Sequence, residues 1–338
     1  MYSDEFFMER CVQLAKLGKG KVAPNPLVGA VIVHDNKIIG EGYHEKYGFP
    51  HAEVNAVNNV QDHSILPEST IYVSLEPCAH FGKTPPCALL LIEKKFKRVV
   101  IGSFDTFSEV NGKGIKLLEE QGIEVKLGVL ETKCRELNKH FFCFHENKRP
   151  YITLKWAQSK DGFIDKEGNQ HWISLPETQS LVHKERSENQ AILVGRKTVE
   201  NDNPSLTVRA VKGNNPTRIV IDSNLQLAMS SKIFNEEAKT IILNLSKQDQ
   251  QNNITWVKLK EINPVSIIDS LYRMGITSII IEGGKSTLQS FIDSQLWDEA
   301  MVITGNSILE RGTPAPTFEG NLCNELNVFS DHIQIYKP

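Results

Sequence analysis

Ile71-Tyr72-Val73-Ser74-Leu75-Glu76-Pro77-Cys78, followed by Pro85-Pro86-Cys87-Ala88-Leu89-Leu90-Leu91-Ile92-Glu93-Lys94-Lys95, is the stretch that decides the fold of the first half. Ile71 to Leu75 is a short apolar run ended by Glu-Pro, which reads as a buried strand. Pro85 to Lys95 has helical periodicity and carries its prolines at the start, where a missing N–H costs nothing. Arg98 to Gly102 reads as the next strand, Gly112 to Gln121 as the next helix and Ile123 to Leu127 as a third strand. Upstream, Leu27 to Val33 and Lys37 to Tyr43 flank Asp35-Asn36 with the grammar of a hairpin, and a helix is expected from His51 to Val60. Strands alternating with helices predict an α/β layered domain with a largely parallel second half.

Glu131 to Lys148 is helical in pattern and runs into Asn147-Lys148-Arg149-Pro150, a polar stretch closed by proline. The domain boundary is placed there, with a first domain over 1–148 and a second over 149–338. A new alternation follows: strands at Tyr151 to Trp156, Ala191 to Val194, Thr217 to Ile221, Thr240 to Asn244 and Ser278 to Ile281, and helices at Pro176 to Glu188 and Lys285 to Ser294. The second half is therefore α/β as well. The Gln/Asn-rich stretch Lys247 to Asn253 reads as an exposed loop.

Bulk properties agree with two cores. At 338 residues the chain is longer than one hydrophobic core usually fills. Hydrophobic content of 40% and charged content of 23% exclude a disordered or fibrous protein. No apolar run approaches the roughly 18 to 20 residues that cross a bilayer, and the acidic start Met1-Tyr2-Ser3-Asp4-Glu5 is unlike a signal peptide. A cytoplasmic protein with no membrane partner is expected. The net charge of −3 arises from well-mixed signs, so small-molecule partners are expected rather than nucleic acid, and a homo-oligomer is compatible with the sequence. Six cysteines are too sparse for a disulfide framework. Cys11, Cys134, Cys143 and Cys323 read as small buried hydrophobes with reduced thiols.

His51-Ala52-Glu53 opens a predicted helix, Cys78 follows a strand and Cys87 starts another helix, so one imidazole and two thiols are able to converge. Zinc held by three protein ligands keeps a position for water, whose pKa falls towards about 7. Glu53, near the metal but not one of its ligands, is the candidate proton carrier from that water to a leaving amine. His-x-Glu with Pro-Cys and a later Cys is the signature of zinc base deaminases. Two blander readings compete with it. A zinc knuckle would need a fourth ligand from Cys11, Cys134 or Cys143 and leaves Glu53 without purpose, while an ordinary acidic helix start leaves the cysteines unexplained.

The long insert in Pro77-Cys78-Ala79-His80-Phe81-Gly82-Lys83-Thr84-Pro85-Pro86-Cys87 departs from the two-residue spacing of general nucleobase deaminases. It resembles the deaminase domain of the bifunctional riboflavin biosynthesis deaminase/reductases, as do Pro24-Asn25-Pro26-Leu27-Val28-Gly29 and Gly40-Glu41-Gly42-Tyr43-His44. The resemblance implies a cytidine-deaminase-like α/β/α first domain with one Zn²⁺ on His51, Cys78 and Cys87, and catalysis by Glu53. It further implies a pyrimidine nucleotide substrate contacted by Asn25, His44, His80 and Lys83.

In the second half, Lys155-Trp156-Ala157-Gln158-Ser159-Lys160-Asp161-Gly162, Gln170-His171-Trp172-Ile173-Ser174 and Thr198 to Arg209 resemble the reductase domain of the same enzymes. Gln158, Lys160 and the pair Gln170-His171 depart from the more usual residues. A dihydrofolate-reductase-like α/β fold is implied. So is an NADPH site lined by Gln158, Trp172, Thr198, Asp202, Ser223, Gly284, Lys285, Ser286, Thr287, Leu288, Gln289 and Ser290. Gln170, Arg186, Leu206, Arg209 and Glu282 would face the ribosyl substrate, the two guanidiniums suiting a phosphomonoester. Glu282-Gly283-Gly284-Lys285-Ser286-Thr287 lacks the earlier glycine of a P-loop. A deaminase of another base or of tRNA adenosine, joined to an inactive second domain, stays open as the alternative.

Overall fold

Asp35 and Asn36 both take left-handed backbone, with φ of 47° and 62°, and so turn β1 (Gly29–His34) straight into β2 (Lys37–Tyr43). The computed structural model in which this is seen describes residues 2–79, 85–107, 110, 112–166 and 172–338. Two units separate along the chain, Met1–Asn147 and Lys148–Pro338.

In the first unit β1 pairs antiparallel with β3 (Thr70–Leu75), and β3, β4 (Arg98–Ser103) and β5 (Glu124–Leu127) run parallel. The described strands are ordered β2-β1-β3-β4-β5. Period-two alternation divides the strand side chains between two cores. Ala30 and Ile32, with Ile71, Val73, Val99 and Ile101, meet α2 (Ala52–Asn58), α3 (Cys87–Glu93) and α4 (Lys113–Glu120) through Ala56, Val57, Leu91 and Leu118. Val31, Val33, Tyr72 and Val100 meet α1 (Asp4–Ala15) and α5 (Glu131–Leu137) through Phe7, Met8, Cys11, Val12 and Cys134. The result is the α/β/α layering expected.

Not anticipated is α1, although its buried Phe7, Met8, Cys11, Val12, Leu14 and Ala15 follow helical spacing. Its first residue, Asp4, accepts from both Arg98 Nη atoms at 2.9 and 3.0 Å, from Lys126 Nζ at 2.7 Å and from Tyr72 Oη at 2.8 Å. The Arg98 hydrogen bonds above all hold this carboxyl far below the usual carboxylate range. A depressed folded pKa adds stability above the unfolded value of about 3.9, and that stability is lost as pH falls through the folded value. Asp4→Asn is therefore expected to cost about 1–2 kcal/mol at pH 7. Urea unfolding at falling pH checks this: the gap to wild type narrows steadily once the pH drops below about 5.

The single helix expected over Glu131 to Lys148 is two, α5 and α6 (Lys139–Asn147), broken at Asn138. The buried Asn138 carboxamide mimics a strand partner, accepting from Leu27 N–H at 2.7 Å and donating to Leu27 O at 2.8 Å. It thereby pins the chain just after Asn25.

The described strands of the second unit form one sheet. Its parallel body runs β11 (Ile254–Lys258), β9 (Thr240–Asn244), β8 (Thr217–Ile221), β7 (Ala191–Gly195), β12 (Ser278–Ile281), β6 (Tyr151–Gln158), β13 (Glu299–Thr304). Antiparallel strands finish both edges: β10 (Asp249–Gln251) beside β11, and β15 (Asp331–Lys337) with β14 (Asn321–Val328) beyond β13. On one face α9 (Pro264–Arg273) and α10 (Lys285–Asp293) bury Ile267, Leu271, Leu288 and Phe291 against Ile152, Leu154, Leu193 and Ile281. On the other, Ile192, Val194, Val220 and Ile242 pack with Val199 of α8 (Arg196–Asp202). The helix expected at Pro176 to Glu188 is α7 (Pro176–Glu188).

Two expectations need correcting. The Gln/Asn-rich stretch contains β10, whose exposed polar residues are held by main-chain pairing at a sheet edge rather than by burial. Cys323 is exposed on β14, whereas Cys11, Cys134 and Cys143 are buried as expected, and all six cysteines are free. Among the described residues no helix is long and apolar enough to cross a membrane.

Candidate functional site

His51 is the extended residue that precedes α2, Cys78 comes off the end of β3, and Cys87 is the first residue of α3. The Cys87 N–H, an amide with no partner inside its helix, donates to Cys78 Sγ at 3.3 Å, and Ala88 N–H donates to Cys78 O at 3.1 Å. His51 Nδ1 lies 3.6 Å from Cys78 Sγ and 3.3 Å from Cys87 Sγ, and the three ligand atoms all fall within 4.8 Å of one another. Tetrahedral zinc with bonds of about 2.0–2.3 Å needs ligand atoms roughly 3.5–3.8 Å apart, so the donor set fits that ion. Hydrogen bonding with Cys87, and then with His51, draws the Cys78 thiol down to about 4, leaving the thiolate that ligates metal.

Glu53, in the first turn of α2, is 3% exposed and reaches the Cys87 thiol. Burial raises its carboxyl, against the pull of His51. A buried carboxyl beside three metal donors is placed for proton transfer. His44 Nδ1 donates to Pro50 O at 3.1 Å, which leaves Nε2 to accept from Asn25 Nδ2 at 3.1 Å. Burial lowers the His44 pKa and keeps this neutral form, and the ring stands edge-on to His51 with centroids 5.4 Å apart. Asn25 and His44 are thus assembled beside the metal donors. His80 and Lys83 lie outside the described residues.

Two acidic residues at this site escaped sequence reasoning. Glu76 is 4% exposed and accepts from the backbone N–H groups of Gly112, Gly114, Ile115 and Asp105 at 3.1, 3.1, 3.4 and 3.3 Å. It fastens the start of α4 to the residues just before Cys78. The fit excludes a side chain at Gly114, where a Cβ would lie 2.1 Å from Pro77 O. Asp105 is also buried, accepts from Phe107 N–H at 2.8 Å, and is pushed up to about 7 by burial, with Glu76 and Cys78 adding to the effect. Contiguity with Pro77-Cys78 was the available signal for Glu76; Asp105 offered none beyond following a strand.

In the second unit the expected cofactor residues collect at the carboxyl ends of parallel strands, where ligands of open α/β sheets bind. Gln158 ends β6, Ser223 follows β8, Thr198 and Asp202 lie on α8 after β7, and Gly284 to Ser290 form the beginning of α10. The first amides of α10 suit a phosphate. Close contact with β7 is what requires glycine at 283, since a Cβ there would lie 2.5 Å from Val194 Cα. Gln158 is tied into the sheet, accepting from Trp156 Nε1 at 2.9 Å and donating to Thr304 Oγ1 at 3.5 Å. Trp172 is largely exposed, and Gln170 lies outside the described residues.

Arg186 on α7 donates through Nε and Nη2 to the two oxygens of Glu282 at 2.9 and 2.8 Å. Lys155 Nζ stands 3.6 Å from the same carboxylate. Burial alone would raise Glu282; Arg186 and Lys155 override it and hold the carboxyl down to about 2. Burial likewise lowers Lys155, with Glu282 opposing. No role had been read for Lys155, a lone cation inside a strand pattern. The Arg186 fork is occupied by Glu282, whereas Arg209 is exposed, its Nη1 donating to Thr207 Oγ1 at 3.2 Å. Leu206 is buried and has a φ of 52°.

A family model described as the RibD C-terminal domain matches residues 150–331, and one described as the cytidine and deoxycytidylate deaminase zinc-binding region matches residues 1–103. The riboflavin biosynthesis protein RibD of Aquifex aeolicus is 41% identical over 317 residues, which cover 91% of this chain and 88% of that one. Its counterpart in Bacillus amyloliquefaciens is 39% identical over 93% of this chain and 87% of its own. The crystal structure of a diaminohydroxyphosphoribosylaminopyrimidine deaminase/5-amino-6-(5-phosphoribosylamino)uracil reductase from Thermotoga maritima matches with a TM-score of 0.92 at 35% identity, covering 99% of this chain and 98% of that one. The RibD of Acinetobacter baumannii matches with a TM-score of 0.90 at 30% identity over the same shares. A cytidine-deaminase-like α/β part that binds zinc and a dihydrofolate-reductase-like α/β part of the NADPH-binding type are therefore both present. With both halves matched and most of its length aligned to such relatives, the chain belongs to the RibD family of bifunctional deaminase/reductases of riboflavin biosynthesis.

Proposed function

We propose that residues 1–148 deaminate 2,5-diamino-6-ribosylamino-4(3H)-pyrimidinone 5′-phosphate and that residues 149–338 reduce the product, 5-amino-6-(5-phosphoribosylamino)uracil, to its ribityl form. The observation that carries this reading is the convergence of His51, Cys78 and Cys87 beside the buried carboxyl of Glu53. Zinc on those three ligands supplies an activated water for the ring carbon that bears the amine. Glu53 takes a proton from the water and delivers it to the departing nitrogen, so that ammonia leaves. Asn25 and neutral His44 orient the ring, and His80 and Lys83 complete the substrate side, the ammonium meeting a phosphate dianion.

In the second half Gln158, Trp172, Thr198, Asp202, Ser223 and Gly284 to Ser290 hold NADPH, which supplies the hydride for the ring-opened ribosyl carbonyl. Gln170, Arg186, Leu206, Arg209 and Glu282 face the substrate. Lys155, beside the Glu282 carboxylate that opposes the lowering of its pKa by burial, is the acid that protonates the resulting oxygen. Free thiols at all six cysteines support a reducing, cytoplasmic location, and the mixed surface charge supports small-molecule partners without nucleic acid.

Zinc analysis of the purified chain, with ammonia and NADPH followed in one assay, tests the reading. We expect one zinc per chain, ammonia release without NADPH, and NADPH consumption only once the deaminated product is present. Oxidation of NADPH with the diamino substrate before any ammonia appears would contradict the assigned order of reactions.

A further inference from the structure

His183 lies on α7 one turn before Arg186, so both side chains leave the same face of the helix. Arg186 is directed to Glu282. The His183 ring is buried, and its Nδ1 accepts the backbone N–H of Arg209 at 2.8 Å and that of Ala210 at 3.5 Å. A nitrogen that accepts carries no proton, so the hydrogen of the neutral ring sits on Nε2. Burial first, and then Arg186 and Arg209, bring the imidazole down to about 4, which preserves the accepting lone pair at neutral pH. The backbone gripped in this way ends an irregular segment in which Asn203 and Leu206 have φ of 39° and 52°. A leucine, unlike an asparagine, holds that conformation at a cost that its surroundings must offset.

We propose that His183 is a positioning residue for phosphate recognition in the reduction: by fixing the backbone of Arg209, it aims that guanidinium at the 5′-phosphate of the ribosyl substrate. This rests on the reading of Arg209 as a phosphate contact. Arg209 is the guanidinium available, because the Arg186 fork is occupied by Glu282. An exposed arginine loses much rotamer freedom on binding, and a fixed backbone with an anchor on Thr207 lowers that cost. A neutral acceptor is what the position requires. A carboxylate there would compete with the phosphate for Arg209, and a cation would have no lone pair for the Arg209 amide.

The test measures kcat and KM of the full-length enzyme for NADPH-dependent reduction of 5-amino-6-ribosylaminouracil with and without its 5′-phosphate. His183→Phe removes the acceptor, His183→Asn places an amide oxygen near the Nδ1 position, and His183→Gln places one near Nε2. For His183→Phe we expect KM for the phosphorylated substrate to rise about tenfold, as for a loosened charge-assisted contact, with kcat and the unphosphorylated substrate little affected. His183→Asn restores the preference and His183→Gln does not. Equal losses on both substrates, an unchanged preference, or a glutamine as good as asparagine would overturn the proposal. If His183→Phe fails to fold, the Asn/Gln pair decides alone. Arg209→Ala separates the two levels. Should it keep the phosphate preference, the reading of Arg209 is wrong; should it lose that preference while His183→Phe keeps it, only the positioning role falls.

Discussion

Glu53→Gln retains one zinc per chain and slows ammonia release by about two to four orders of magnitude, the contribution of a positioned general acid–base group. Zinc is retained because the donor group consists of His51, Cys78 and Cys87, and the substitution leaves all three in place. It is also nearly isosteric, so the packing of Glu53 among the first residues of α2 survives. What disappears is the carboxylate proposed to take the water's proton, because a carboxamide has no lone pair basic enough for the task. Reduction of supplied deaminated product is expected to continue at the wild-type rate, which shows that the second half is intact, while the retained zinc reports on the first. Cys87→Ser gives the complementary result, with zinc and ammonia release lost together. Full turnover by Glu53→Gln would mean that another group moves the proton, and the metal cluster would then have to be read as structural.

Why the metal donors were readable and their supports were not follows from where each lies in the chain. His51, Glu53, Cys78 and Cys87 sit at a helix start, a strand end and a second helix start, and local patterns mark all three places. Glu76 acts through backbone amides brought up from residues 29 to 39 positions away, so nothing within a few residues of it betrays the contact, and Asp105 gains its place only through burial beside Glu76. The strands of the first sheet and the inner strands Tyr151–Gln158, Ala191–Gly195, Thr217–Ile221, Thr240–Asn244 and Ser278–Ile281 of the second were legible as apolar runs. Lys37–Tyr43, Thr217–Ile221, Thr240–Asn244 and Ser278–Ile281 have the bounds expected, whereas Ile254–Lys258, Glu299–Thr304, Asn321–Val328 and Asp331–Lys337 were not anticipated. The break at Asn138 was hidden because residues 131–148 keep a helical pattern on both sides, and only the partner at Leu27 explains the interruption. β10 was hidden for the opposite reason, since pairing at an exposed edge demands no apolar residue. Lys155 shows the same limit at a candidate site: a charged residue in a strand gains meaning only when Glu282 and Arg186, far along the chain, are seen beside it.

Lys155→Met is expected to lower the rate of NADPH-dependent reduction by about two to four orders of magnitude through the loss of a general acid, with a much smaller change in KM. Methionine fills a similar volume and supplies no proton, so the developing alkoxide must take one from water. Ammonia release by the same variant stays at the wild-type level, because the residues assigned to it all lie in the first half of the sequence. Glu282→Gln supplies a second, sharper reading. Burial already lowers the Lys155 pKa while Glu282 opposes that shift. Removing the carboxylate leaves burial and Arg186 acting together, so the pKa falls further and the protonated form is lost at lower pH. The high-pH limb of kcat for reduction must then move down in Glu282→Gln relative to wild type, and in Lys155→Met that limb must vanish. A limb that moved up, or one that survived in Lys155→Met, would assign the proton to a different residue and leave Lys155 as no more than a counter-ion to Glu282.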